Sequence, residues 1–398
     1  METIAERIEK ILPEVRELRQ TLHRHPELGY EEHETARRLL SFLGDCGGAE
    51  IRTGVAGTGI VITFGADLPG PGVALRADMD ALAMDEVSGV AWASTVRGRM
   101  HACGHDGHMA MLAGAARLLA EDQTCLKGPV KLIFQPAEEG GAGGRAMVKA
   151  GVLENPPVAA IYGLHNNLPD PAKKIGKIAA TSGAAMAGTG TFEIEVIGVG
   201  GHAAFPHRCV DPVYVGASIV EQLQGLVSRT LNPLEAGVIS VTRFEAGTAY
   251  NIIPGKALLQ GTFRALDGTL LKRLRDQIEE RASGIAKAHG AETRIRCELG
   301  YPVLMNHPDA EATFRRILED TGKAGHFEHV APNMGGEDFA FFAEQVPGFF
   351  YFLPACPEEM EKVPMCHSPE FDFNDNLLPA GIHLHLATAL GFADHWRG

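Results

Sequence analysis

The sequence predicts an α/β protein with a mainly parallel central sheet, interrupted by an inserted ferredoxin-like unit. Three observations predict it. Short apolar runs flanked by glycine or proline read as buried strands. An amphipathic stretch between two of them reads as a crossover helix, the connection a parallel sheet requires. From about residue 183 the order of elements becomes βαββαβ, and the first pattern resumes after residue 300.

Taken in order, the first thirty residues space Ile4, Ile8, Ile11, Val15, Leu18 and Leu22 by three or four, which predicts a helix. GIVITFGA (59–66), GVALRAD (72–78), VKLIFQPA (130–137) and VAAIYGLH (158–165) are the buried strands. DGHMAMLAGAARLLAED (106–122) is the crossover helix, with Met109, Leu112, Ala113, Ala116 and Leu119 on one face. The small-residue run TSGAAMAGTG (181–190) reads as a hinge. Beyond it, TFEIEVIGVG (191–200), AGVISVTRFEAG (236–247), KALLQGTFRAL (256–266) and AETRIRCEL (291–299) are strands; 211–230 and 269–290 are helices. GFFYFLPA (348–355) returns to the buried-strand type. The expected organisation is therefore a discontinuous domain of 1–182 and 300–398 holding an insert of 183–299.

A chain of 398 residues favours two domains over one. With 45% hydrophobic and 22% charged residues, it has a globular composition. A formal net charge of −14 disfavours nucleic acid as a partner, because that affinity rests on lysine and arginine meeting phosphates. The amino-terminal stretch is charged and lacks an apolar signal core, and no run reaches the roughly 18 apolar residues of a membrane span. Seven scattered cysteines do not form a disulfide pattern, so a reducing cytoplasm is expected.

The chemistry gathers at predicted strand ends. MHACGHDGH (100–108) packs three histidines, a cysteine and an aspartate just ahead of the crossover helix. Asp78 and Asp80 follow one strand, Glu138 and Glu139 the next, His165 closes another, and His367 follows the late strand. In open α/β sheets ligands bind beyond the carboxyl ends of the strands, so these loops should meet at one edge. Thiolate, imidazole and carboxylate suit borderline divalent cations. Two such ions about 3.5–4 Å apart activate a water and polarise a carbonyl, while a spare carboxylate moves the proton. The position ahead of a helix also favours a cysteine thiolate. Two rival classes stay open at this point. One is a metal-independent cysteine hydrolase with Cys103 as nucleophile. The other is a binding protein without turnover, expected to lack the spare carboxylate.

MHACGHDGH, AEEGG, GLHN, GHAAFPH, NIIP with GTFR, GGEDF and CHSPEF together resemble one amidohydrolase family. It includes hippurate hydrolase and the indole-acetyl-amino-acid hydrolases. The resemblance spans nearly the whole chain, from HRHPELG near residue 25 to HSPEF near 371. It implies a zinc-exopeptidase-like catalytic domain with the insert as lid and dimerisation domain. The implied activity is cleavage of N-acyl-L-amino acids by two divalent ions, manganese or zinc, with nickel or cobalt as alternatives. The implied assembly is a homodimer or a dimer of dimers. Residue by residue, it implies Cys103 as the bridging thiolate, Glu139 and His367 on one ion, and His105 and His165 on the other. Glu138 would be the general base and acid, and Asp80 the supporting carboxylate. His202 would reach a partner subunit's site to steady the oxyanion, and Asn251 and Arg264 would hold the substrate's carboxylate. Phe205 stands where methionine is common, a difference that bears on the acyl pocket.

Other residues read more plainly. His101 and His108 are expected to support or pack rather than ligate. His383 and His385 alternate with Leu384 and Leu386 and read as core or surface histidines. Asp78 reads equally as a neighbour of a ligand or as a strand-end cap.

Overall fold

The computed structural model describes residues 2–166 and 172–398. The chain divides into two compact units: Met1–Ala185 with Met305–Ala331 and Asp338–Gly398, and Met186–Leu304 with Pro332–Glu337.

The first unit opens with helix α1 (Ile4–Arg24), started by a capping box in which Thr3 and Glu6 satisfy each other's backbone N–H groups. Its Ile8, Ile11, Val15, Leu18 and Leu22 are buried, the face that the spacing of three and four selects. Helix α2 (His33–Leu43) follows, then strands β1 (Glu50–Val55), β2 (Gly59–Phe64) and β3 (Val73–Asp78). Helix α3 (His105–Glu121), strand β4 (Val130–Gln135), helix α4 (Gly143–Lys149) and strands β5 (Ala160–Asn166) and β6 (Ile178–Ala180) complete this stretch.

The second unit comprises β7 (Gly188–Ile197), α5 (Pro212–Gly225), β8 (Gly237–Ala246), β9 (Lys256–Ala265), α6 (Gly268–Ala288) and β10 (Glu292–Leu299). Its strands run antiparallel in the order β8-β9-β7-β10, which with the two helices is the ferredoxin-like split βαβ arrangement. Ile194, Ile219, Leu223, Leu259, Phe263, Leu274 and Ile278 form its core. Part of the expected hinge is strand instead, since β7 already begins at Gly188. The reason is packing: a Cβ on Gly190 would lie 2.0 Å from the Phe263 ring, so the small residues admit that side chain. Pro332–Glu337 joins this unit because the Ala187 N–H donates to the carbonyls of Asn333 and Gly335.

The chain then returns to the first unit through α7 (Pro308–Asp320), β11 (Phe327–His329), β12 (Gly348–Leu353) and α8 (Leu378–His395). The sheet order is β1-β2-β4-β3-β5-β12-β6-β11. The pairs β4/β3, β3/β5, β5/β12 and β6/β11 are parallel. Parallel register aligns the strand ends: Asp78 lies opposite Gln135, and Phe352 opposite His165. The loops leaving β3, β4, β5 and β12 therefore start from one edge of the sheet.

Candidate metal centre and active site

Among the triads of potential ligand atoms in the first unit, two share Cys103. Cys103, His105 and His165 place Sγ and two ring nitrogens within 4.8 Å of one another; Cys103, Glu139 and His367 do the same with sulfur, carboxylate and imidazole. Glu138 clusters with His105 and Glu139 but joins neither cysteine triad.

Local structure explains how each side chain is aimed. Gly104 caps α3 in the left-handed region, φ 91°, where a Cβ would strike the Asn166 side chain at 2.1 Å. That close approach brings Cys103 to His165, with Sγ 3.3 Å from Nε2. His105 is the first residue of α3 rather than part of the preceding loop. Its Nδ1 donates to the Asp80 carbonyl at 2.9 Å, and His165 Nδ1 donates to the Asn166 carbonyl at 2.5 Å. Each bond fixes a tautomer that leaves Nε2 with a free lone pair, the form a metal takes. The Asp80 carboxylate accepts from the N–H of Glu138 and of Glu139, both at 2.9 Å, and so clamps the paired-glutamate loop. Ala137 and His367 both adopt left-handed backbone, φ 53° and 66°. The His367 N–H donates to the Ala102 carbonyl at 2.8 Å, which tethers that loop beside Cys103.

The electrostatics ask for positive charge. Burial alone would push His105 down, but the carboxylates of Asp78 and Asp80 outweigh it and hold the imidazole well up. His105 Nε2 is nevertheless buried without a hydrogen-bond partner. A buried nitrogen with no protein partner, amid carboxylates that favour a cation there, fits a metal ion. The His367 Nε2 lies 3.0 Å from Glu139 Oε1, and this bond raises its pKa. A hydrogen bond with the Cys366 thiol, together with burial, pushes the Cys103 thiol well up. A bound cation would offset that push and favour the thiolate there.

The remaining first-unit histidines divide cleanly. His108 has both ring nitrogens engaged, by Asp78 Oδ1 at 2.6 Å and Asn166 Oδ1 at 2.6 Å. His101 is buried with neither nitrogen partnered, and burial lowers it to about 4. His385 is buried in α8 and lowered to about 3 in the same way, while His383 is half-buried. Asp78 accepts from Arg76 at 2.8 Å as well as contacting His108.

Sequence reasoning missed the support behind the glutamates. Arg76 donates to Asp78, Gln135 and Asp338, and the Gly144 N–H also donates to Asp338. The Asp338 N–H in turn reaches Glu138 Oε1 at 3.4 Å. The GGEDF motif was the available signal for Asp338. A second missed cluster joins His23 to Asp106 at 2.8 Å and to Glu86 at 3.2 Å, with Arg19 beside Asp106.

His202, Asn251 and Arg264 lie in the second unit. His202 sits opposite Ile252 in a short two-stranded pairing, and the Ala203 N–H donates to the Asn251 carbonyl at 3.1 Å, so the first two are neighbours. Both are exposed. Arg264 is half-buried on β9, and no ion pair engages its guanidinium among the described residues.

The family description Peptidase family M20/M25/M40 matches residues 74–391. The chain belongs to that family. It is 40% identical over 378 residues to IAA-amino acid hydrolase ILR1-like 4 of Arabidopsis thaliana, covering 94% of this chain and 84% of the relative. It is 36% identical over 363 residues to the N-acetylcysteine deacetylase of Bacillus subtilis, covering 91% and 92%. A dinuclear metal binding peptidase of the M20 family, also from Bacillus subtilis, superposes with a TM-score of 0.81 at 32% identity, covering 97% and 99%. This M20 chain is a metal-dependent hydrolase of amide bonds. Among the described residues no helix is long and apolar enough to cross a membrane.

Proposed function

We propose that this protein is a two-metal amidohydrolase that cleaves N-acyl-L-amino acids to a carboxylic acid and an amino acid. It would act as a homodimer, or a dimer of dimers, in the cytoplasm. Cys103 would be shared between the two ions, with Glu139 and His367 holding one and His105 and His165 the other. When bound, manganese or zinc supplies Lewis acidity and an acidified water.

The protein's own groups do the rest. Glu138 takes a proton on a carboxylate oxygen and returns it to the leaving nitrogen, which turns a poor leaving group into an amine. Asp80 keeps the backbone under Glu138 and Glu139 fixed, so the two carboxylates hold different tasks. Arg264 and Asn251 bind the carboxylate of the amino-acid half, for which an unpaired guanidinium fork is suited. A partner subunit's copy of His202 donates to the oxygen that gains charge.

The observation that supports this reading is the membership of Cys103 in two ligand triads, with Glu138 clustered against one member of each, His105 and Glu139. The test is a panel of N-acetyl, N-benzoyl and indole-acetyl amino acids. Chelator-treated protein should be inert and regain hydrolysis when manganese, zinc, cobalt or nickel is restored. Full activity after chelation would return the case to a cysteine nucleophile.

A further inference from the structure

Cys366 is the residue of the MCHSPE segment that the reaction leaves unused. It precedes His367, whose N–H donates to the Ala102 carbonyl at 2.8 Å, so the two backbones run side by side next to Cys103. The Cys366 thiol donates to the Cys103 carbonyl oxygen at 3.8 Å, which sets its sulfur against Cys103. A disulfide requires Cα atoms about 4.4–6.8 Å apart with converging side chains, and the adjoining backbones at Ala102 and His367 bring the two cysteines together for it. All seven cysteines are free. Cys366 is also half-buried rather than enclosed, so a small oxidant can reach it.

We propose that Cys103 and Cys366 form a reversible disulfide that competes with the metal ions for the Cys103 sulfur. The proposal rests on the ligand role given to Cys103 above. Hydrogen peroxide is the oxidant class that fits the narrow access. The Cys366 sulfur attacks one peroxide oxygen, an S–O bond forms, the O–O bond breaks, and water leaves. The Cys103 sulfur then attacks the Cys366 sulfenic acid, an S–S bond forms, the S–O bond breaks, and a second water leaves. Two thiols are oxidised and one peroxide is reduced to two waters. The bridged sulfur is no longer a thiolate, so both ligand triads lose their common member at once. A dithiol reverses the change by exchange. A loaded centre resists it, because the electron pairs of Cys103 are already committed.

The experiment treats the whole protein with hydrogen peroxide, once after chelation and once loaded with manganese. It reads free thiols, non-reduced peptide maps and bound metal. The expected result after chelation is the loss of two thiols, a peptide joining residues 103 and 366, and loss of metal uptake, all restored by dithiothreitol. Manganese-loaded protein should keep its thiols. Cys366→Ser should take up metal as the wild type does and give no cross-link. If the chelated protein takes up metal but never yields the 103–366 peptide, the proposal falls and the ligand assignment stands. A cross-link that forms equally well in loaded protein overturns the competition and the ligand role of Cys103 together.

Discussion

The two units bury their sheets differently, and the chemistry follows the difference. In the first, β3, β4 and β12 are buried at every position. In the second, β10 alternates exposed and half-buried residues along its whole length. A sheet covered on both faces has only its strand ends to offer a ligand, so functional groups collect there and are held by buried partners. His105 is fixed by the Asp80 carbonyl, and Glu138 and Glu139 by the Asp80 carboxylate. A one-faced antiparallel sheet leaves its polar groups at the surface. His202 and Asn251 accordingly sit on a short backbone pairing, with the His202 ring held only by the neighbouring Ala204 N–H and Phe205 ring. The first unit holds its candidate ligands in a prepared cluster; the second leaves His202 and Asn251 exposed.

Breaking the prepared centre should have the largest effect. Glu138→Gln keeps the shape and removes the proton acceptor, so turnover should fall about 10²–10⁴-fold with metal content unchanged. Normal hydrolysis by this variant would show that the base lies elsewhere. Metal uptake should also depend steeply on pH. His105 and His367 are held up by carboxylates and Cys103 by burial and Cys366, so ligation must displace their protons. Apparent affinity should therefore rise between pH 6 and 8, roughly tenfold per pH unit for each proton released. Calorimetry in buffers of different ionisation enthalpy counts those protons, and a count of zero would contradict the ligand set.

How much of this was legible beforehand follows the same division. Unbroken apolar runs such as GFFYFL read as buried strands, and the motif residues at the strand ends fell together as the parallel register requires. Strands such as Ile178–Ala180 and Phe327–His329, three residues each, carry no periodicity to detect and exist only through pairing with their neighbours in the sheet. The TSGAAMAGTG run looked like a hinge because glycine usually marks flexibility, yet Gly190 is there to admit Phe263. Arg76 and Gln135 were hidden inside apolar strands, where their partners come from Asp78 and Asp338, the latter 262 residues from Arg76. No local pattern reports a pairing of that separation. The paired use of Cys103 was legible only through the family resemblance, since its two triads draw on residues up to His367.

The buried cluster around His23 tests whether the first unit's stiffness is electrostatic. Burial pushes His23 down, but Asp106 and Glu86 outweigh it and raise it to about 9, so it is charged at neutral pH. A raised pKa means stabilisation that is complete below the unfolded value near 6.5 and lost as pH climbs through about 9. The stability difference between wild type and His23→Gln should then be on the order of 3 kcal/mol in acid and fade toward zero above pH 9. A difference independent of pH between 6 and 10 would mean the imidazole is neutral throughout.

The smallest effect should come from the second unit. Arg264 lies against the chain at Gly336, where a Cβ would come 3.4 Å from its Nη1, so the guanidinium is positioned but unpaired. Lysine keeps the charge but loses the fork that grips both oxygens of a carboxylate. Arg264→Lys should raise KM about tenfold, near 1.4 kcal/mol of lost binding, and leave kcat much less changed. An N-acyl amine lacking the carboxylate should be hydrolysed equally by both proteins. If KM for the acid substrate is unmoved, Arg264 does not hold that group. The second unit would then contribute through His202 and Asn251 without it.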